Sequence, residues 1–527
     1  MNKWAAAIIL ASAQFVMVLD STVMNVSIST VVKDLDTNIA AMQACITFYT
    51  LTMAALMLLG AKLGDIWGRK KAFIIGSIIY ATGSFITALS PNIGTLFVGW
   101  SVIEGIGAVL VIPAIAALIA SNYKGKDRVT AFAVIGAVSG AAMAAGPLIG
   151  GFMTTYLSWR YVFVGEVIIM GIVLLFNKRI LDTAKPLKLK IDRLSVILSA
   201  SGLVLVVFGM LQSKIWGWVR PINSPEVFGY TLEPLGISMT TYLIMAGAII
   251  LRIFYLRQQK LRAQNKDVLL DVSMFHIPQL RSGLAVLLAQ YTMIAGIFFV
   301  IPVYLQMTLG YDALKTGMKI FPLSIGLILF SVVGTRLAVT WSPKKIIRFG
   351  QYLLIASSVM LLASVNVTLR GWLFGIAMFG AGAALGLLAS QIGNVNMSSV
   401  PAEKGSEVGG MQGVFQNLGS SLGTAIIGSV LIASLTTNFA DNVLASNLPE
   451  STKSQVSELT QEGISVAPVN EVEAYAQKQG LNSQDAQEIT DIYSQSQLES
   501  LRVALFALVL LSIISLLFSR NLPDRKL

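Results

Sequence analysis

Three carboxylates sit in apolar surroundings in the first third of the chain: Asp20, Glu104 and Glu166. Holding such a group at mid-bilayer costs about 2.5–3.5 kcal/mol even on the lenient insertion scale, so those that persist usually handle ions or solutes. On helical geometry, Asp20 lies about 24 Å from Trp4, Glu104 about 16 Å from Ile93 and Glu166 about 10 Å from Trp159. These depths allow all three to face one cavity that leans toward the outer side. Clustered carboxylates hinder one another's ionisation, which suits proton exchange near neutral pH. The plainer alternative is that one or more of them simply hydrogen-bonds a neighbouring helix.

The elements that would position these acids are membrane spans. Of 527 residues, 55% are hydrophobic and 12% charged, and the mean hydropathy is +0.73. Repeated apolar runs of about 20 residues are what a bilayer requires. The fold class expected is an all-α polytopic membrane protein. About fourteen spans are predicted, near 4–28, 42–61, 72–90, 93–120, 128–153, 160–177, 193–213, 236–256, 282–308, 314–339, 346–366, 371–397, 406–435 and 502–519, each end good to roughly four residues. The first run carries no small-residue cleavage site and is read as a retained span. The +11 net charge follows the spans: Lys and Arg collect in alternate connectors, so orientation explains the basicity and no nucleic-acid partner is expected. Both termini then lie on the cytoplasmic side of a cell membrane. The single cysteine, Cys45, excludes an intramolecular disulfide. With one histidine, no Ser/His/Asp or metal constellation is available, and no phosphate-binding Gly-x-x-x-x-Gly-Lys-Ser/Thr loop occurs. An enzyme, a cofactor and a metal are not expected.

The turn between the second and third spans, from Gly60 to Phe73, is glycine-punctuated and basic, with Gly64 and Gly68 available for the reversal. Asp65 is its one acid, placed to pair with Arg69 or to cap a helix. Later in the chain Leu337-Ala338 and Ser342-Pro343-Lys344-Lys345 echo this turn, which suggests a repeated six-span unit. Gly146, Pro147, Gly150 and Gly151 would let helices approach closely and bend, with a hinge as the functional alternative. The second half offers amides rather than acids, of which Gln290, Gln391, Asn394 and Gln416 are candidates for a substrate path. Glu407 reads as a cap or interdomain ion pair. The stretch 436–498 is polar and acidic, with short helices, one starting at Asn482-Ser483; it is either a solvated outer cap or a gating or partner-binding element.

The sequence Gly64-Asp65-Ile66-Trp67-Gly68-Arg69-Lys70 resembles the loop motif of the major facilitator superfamily, with Ala61 where that motif usually begins with glycine. Gln14-Phe15, Leu19-Asp20, Thr22 and Asn25-Val26 resemble the first-span motif of its fourteen-span drug:proton antiporters. Gly146-Pro147 and Gly150-Gly151 resemble the antiporter motif of the fifth span, and Gly419-Ser420-Ser421-Leu422-Gly423-Thr424 that of the thirteenth. The chain departs from the fourth-span pattern Arg-x-x-Gln-Gly-x-Gly, which here reads Ser101-Val102-Ile103-Glu104-Gly105-Ile106-Gly107. Glu104 would then supply a titrating group in place of the missing arginine.

The resemblance implies two six-helix bundles plus two extra central spans: 1–180 as the first bundle, 181–265 as the extra pair with its linkers, and 266–527 as the second bundle carrying the 436–498 insertion. In such a protein Asp65 and Arg69 belong to a cytoplasmic latch. The expected function is proton-coupled export of lipophilic, cationic small molecules of multidrug type by a monomer in the lipid bilayer, with the proton gradient as energy source. The alternatives are export of an endogenous lipid, siderophore or metabolite, and a membrane scaffold that uses 436–498.

Overall fold

A computed structural model describes residues 3–37, 39–182, 186–227, 230–366, 368–450, 452–454, 456, 466, 468–478 and 481–525; the side chains of Asn25, Val26 and Pro147 and parts of 436–498 lie outside that description. The chain is a succession of long helices. They are α1 (Ala5–Asp34), α2 (Ile39–Trp67), α3 (Arg69–Ala88), α4 (Ile93–Asn122), α5 (Gly125–Tyr156), α6 (Arg160–Leu175), α7 (Arg193–Trp216) and α8 (Met239–Ala263). After them come α9 (Pro278–Thr308), α10 (Ala313–Leu337), α11 (Pro343–Ser364), α12 (Gly371–Ser398), α13 (Gly405–Ala445), α14 (Val469–Lys478) and α15 (Ser483–Phe518). Thirteen of these are long and apolar enough to cross a bilayer; α6, at 16 residues, is the expected span that falls short. In hydrocarbon every backbone N–H and C=O must be paired within the protein, and a helix does this inside one segment. The only strands among the described residues are Glu226–Val227 and Tyr230–Thr231, an antiparallel pair in the α7–α8 connector.

Helix starts follow the capping residues. The Asn92, Asp192, Ser238, Asp312, Ser342 and Asn482 side chains each accept a backbone N–H from the first turn of the helix that follows, satisfying donors that would otherwise be orphaned. Two expectations about ends need correction. α2 continues through Gly64 to Trp67, so the reversal rests on Gly68 alone, with φ +94°. α15 starts at Ser483, as its Asn482 cap signals, but runs unbroken to Phe518, so the short helix expected there is continuous with the last span.

The helices pair in a pattern that occurs twice: α1 with α5, α2 with α4, α3 with α4 and α6; then α9 with α13, α10 with α12, α11 with α12 and α15. Across the two sets α5 packs on α10 and α12, and α2 on α13, while α7 and α8 form a hairpin whose α7 lies on α2 and α13. Without a hydrophobic drive between helices in lipid, close van der Waals approach holds them together, and small residues permit it. A Cβ at Gly382 would lie 1.8 Å from the Leu323 carbonyl oxygen, and one at Gly423 would lie 2.2 Å from that of Thr292. Backbone therefore rests on backbone at α10–α12 and α9–α13. By contrast a Cβ at Gly375 meets nothing within 4 Å.

Two outcomes test this packing. Gly382→Ala should cost on the order of 1–3 kcal/mol, because backbone cannot swing aside, whereas Gly375→Ala should be neutral or stabilising by up to about 1 kcal/mol; melting temperatures in detergent report both. At the base of α7, Arg257 donates to both carboxylate oxygens of Asp192 at 2.7 and 2.8 Å and holds that carboxyl well below the usual carboxylate range. A depressed folded pKa stabilises above the unfolded value and loses that contribution as pH falls toward the folded one. Asp192→Asn should therefore lower stability at neutral pH and flatten its decline below about pH 4, read from unfolding curves across pH.

Candidate functional site

The three intramembrane acids converge. α1 supplies Asp20, α4 supplies Glu104 and α6 supplies Glu166, and each is at most 1% exposed. One oxygen from each lies within 4.8 Å of the others. The local backbone explains the meeting. Phe97–Glu104 is a π-helical stretch whose buried face carries Trp100, Ser101 and Glu104, and such stretches recur at functional sites. α3 comes close enough to support it because Gly83 has no side chain: a Cβ there would sit 2.6 Å from the Glu104 nitrogen.

Around the acids, the Trp100 indole Nε1–H donates to Asp20 Oδ1 at 2.8 Å, and the Ser84 hydroxyl donates to Glu166 Oε2 at 3.0 Å. Tyr49 stacks on Trp100 with ring centroids 5.1 Å apart. Tyr80, from α3, brings its hydroxyl beside Glu104 and Glu166. Among the described residues, Asp20 Oδ2, both Glu104 oxygens, Glu166 Oε1 and the Tyr80 hydroxyl have no hydrogen-bond partner. Two like charges about 5 Å apart repel by about 3 kcal/mol even at an effective dielectric of about 20. Full ionisation of the trio therefore calls for positive charge from outside.

The acids do not line the central cavity that the sequence led us to expect around them. That cavity, of about 100 Å³, is bounded by α1, α4, α5, α9, α10, α12 and α13, and its polar lining is Gln14, Ser139, Gln290, Tyr291, Gln412 and Gln416. No charged side chain is among the described lining residues. Asp20 lies six residues beyond Gln14 on α1, a rise of about 9 Å. The acids and the cavity are thus separate but share a helix. Of the four amides singled out from sequence, Gln290 and Gln416 reach the cavity. Gln391 instead donates to the Gly334 carbonyl at 3.1 Å, and Asn394 Oδ1 accepts from Arg128 Nε at 2.9 Å.

At the end of the bundle that carries the basic turn, Arg69 Nε donates to the Ser406 hydroxyl at 2.9 Å across the α3–α13 boundary. Asp65 is buried, with its carboxylate among Ser406, Lys62 and Arg69. Its carbonyl accepts from Leu187 N at 2.9 Å, while Lys70 N donates to Asp182 Oδ2 at 2.9 Å. Gly64 lies within α2 with only the Ala72 methyl near its Cβ position. Lys62 pairs with Glu407 at 3.6 Å, both nearly buried, and Lys404 joins Glu407 at 3.1 Å. Glu407 Oε2 also accepts the backbone N–H of Asp271. The glycines of α5 meet α1 next to Asp20: a Cβ at Gly146 would lie 2.0 Å from Thr22 Oγ1, and one at Gly150 would lie 3.2 Å from Val23. Gly151 is buried, and its carbonyl accepts from the Thr154 hydroxyl.

The sequence profile of the Major Facilitator Superfamily matches residues 10–424. The chain belongs to that superfamily. Among similar proteins, this major facilitator is 27% identical to the puromycin resistance protein pur8 of Streptomyces alboniger, over 84% of each chain. It is 26% identical to the tetracenomycin C resistance and export protein of Streptomyces glaucescens, over 85% of its own length and 79% of the relative's. It is 24% identical to the multidrug resistance protein Stp of Mycobacterium tuberculosis, over 80% and 74%. Its fold is similar to that of the human organic anion transporter MFSD10, with a TM-score of 0.55 at 12% identity, covering 82% of this chain and 94% of that one. It is also similar to that of the proton:xylose symporter XylE, with a TM-score of 0.53 at 11% identity, covering 80% and 87%.

Sequence reasoning passed over Trp100, Tyr80, Tyr49 and Ser84. A signal was there: Ser77, Tyr80 and Ser84 recur on one face of an otherwise apolar helix, and Trp100 precedes Glu104 by four residues in its own span. The Lys62–Glu407 pair gives a direct test of the basic end. Glu407→Gln takes from the buried Lys62 ammonium its ion-pair partner, with Asp65 still nearby, and should destabilise by on the order of 3 kcal/mol. Adding Lys62→Met should recover part of the loss, the remainder belonging to the Lys404 and Asp271 contacts of Glu407, as a double-mutant cycle of melting temperatures in detergent would read.

Proposed function

We propose that this major facilitator is a proton-coupled exporter of lipophilic small molecules, cations among them, from the cell. It is a membrane transporter by family, and its relatives include proteins named for resistance and export. The observation that carries the coupling is the buried trio Asp20, Glu104 and Glu166, held beside a neutral, amide-lined cavity rather than in it. Solute and proton then occupy different places and influence each other through the helix they share. That arrangement is a coupling free energy between two sites.

In the working cycle, protons entering from the distal side neutralise the trio. α1 shifts against α5 at the Thr22–Gly146 contact, and the cavity releases its solute. Loss of the protons at the basic end returns the carrier. We take 1–180 and 266–527 as the two parts that rock against each other and 181–265 as the hairpin beside their seam, in a monomer with both termini cytoplasmic. Arg69–Ser406, Lys62–Glu407 and Arg128–Asn394 close the basic end. The cavity attracts apolar solutes through its walls and orients them with Gln290, Gln412 and Gln416. A charged solute feels the trio only at a distance, so cations gain modestly over neutral compounds.

Efflux of a fluorescent lipophilic cation from reconstituted vesicles, driven by a pH gradient, tests this reading. Asp20→Asn and Glu104→Gln should each lower gradient-driven efflux at least about tenfold, a change of about 1.4 kcal/mol in coupling. Gln290→Ala and Gln412→Ala should mainly raise the concentration for half-maximal transport. Unchanged gradient-driven efflux in both acid variants would sink the proposal.

A further inference from the structure

Five buried oxygens at the acid cluster have no hydrogen-bond partner among the described residues: Asp20 Oδ2, Glu104 Oε1 and Oε2, Glu166 Oε1 and the Tyr80 hydroxyl. Trp100 and Ser84 donate to the other oxygens of Asp20 and Glu166. Leaving a buried polar atom unpaired costs about 1–3 kcal/mol, more when it is charged. Tyr80 is an observation independent of the acids. It comes from α3, is 0% exposed, and brings a hydroxyl with no partner in the described geometry beside Glu104 and Glu166.

We propose that these five oxygens form a binding site for a hard cation of the size of Na⁺ or Ca²⁺, so that the trio takes a metal ion as an alternative to protons. This rests on the trio being the coupling site. The donor set is all oxygen, which selects hard cations over zinc or copper. Ligands on opposite sides of an ion bound at 2.3–2.6 Å lie up to about 5 Å apart, and the trio offers its atoms within 4.8 Å of one another. Mg²⁺ fits less well, because it demands an octahedron at about 2.1 Å and holds its waters. The ion would supply the positive charge that the cluster lacks. Ser101, one turn before Glu104, contributes none: its hydroxyl donates to the Cys45 carbonyl at 2.8 Å.

Binding of ²²Na⁺ and of ⁴⁵Ca²⁺ to the purified full chain in lipid nanodiscs, with choline chloride keeping ionic strength constant, decides the matter. Saturable binding of either isotope is expected, and which of the two saturates identifies the ion. Glu104→Gln should abolish it, and Tyr80→Phe, which keeps every carboxylate, should weaken it about tenfold. Where Glu104→Gln fails to insert, Asp20→Asn and Tyr80→Phe carry the comparison. No saturable binding of either ion, or equal binding in wild type and variants, overturns the site. Efflux in vesicles separates the two readings. A pH gradient that still drives export with no cation bound leaves the proton reading standing, whereas saturable cation binding with no export driven by a pH gradient keeps the site and removes the proton reading.

Discussion

Charge held in oil has to be answered from within the protein, and in this chain three carboxylates answer to one another. Asp20, Glu104 and Glu166 come from three helices, so their meeting fixes how α1, α4 and α6 stand together. The π-helical stretch that turns Glu104 inward and the bare Gly83 that lets α3 approach it serve that meeting. Trp100 and Ser84 each satisfy one oxygen and leave the rest open. A cluster built only for stability would have every lone pair matched, since a half-satisfied buried network is worse than an apolar one. The proposed exchange of ions rests on these open oxygens.

The same constraint explains why cavity and acids are apart. A charged wall around the cavity would have to be solvated whenever it is empty, whereas glutamines present both donors and acceptors and tolerate either condition. Gln290, Gln412 and Gln416 make the cavity polar without making it charged. α1 links the two, carrying Gln14 at one level and Asp20 about two turns further on. Small residues of α5 press against it at Thr22 and Val23, so a displacement of α1 is felt directly at a helix that also packs on α10 and α12.

Much of this was legible in the sequence, because hydrocarbon imposes simple rules. Span positions followed from apolar length and connector charge, and the start of α15 from Asn482. The three acids were conspicuous because each interrupts an apolar run. Their joint location off the central cavity was not legible, since it depends on helix rotation, and the π-helical stretch alters rotation in a way no periodicity announces. Gln391 and Asn394 shared the chemistry of Gln290 but face other helices, a distinction set by crossing geometry. The ends of α13 and α15 were misjudged because a helix can run on past the bilayer on polar residues once a partner helix covers its side.

That overrun has a mechanical meaning. α13 is 41 residues long and α15 is 36, about 60 and 54 Å, against a hydrocarbon thickness of about 30 Å. Their projecting ends share a small apolar core of Leu435, Phe439, Val443, Ile489 and Tyr493, and Asn442 bonds Ser496 across it at 3.0 Å. The turret above the membrane is therefore spliced, without a joint, to two of the struts that frame the second set of helices. Any tilt of those struts is carried to its tip with no hinge between.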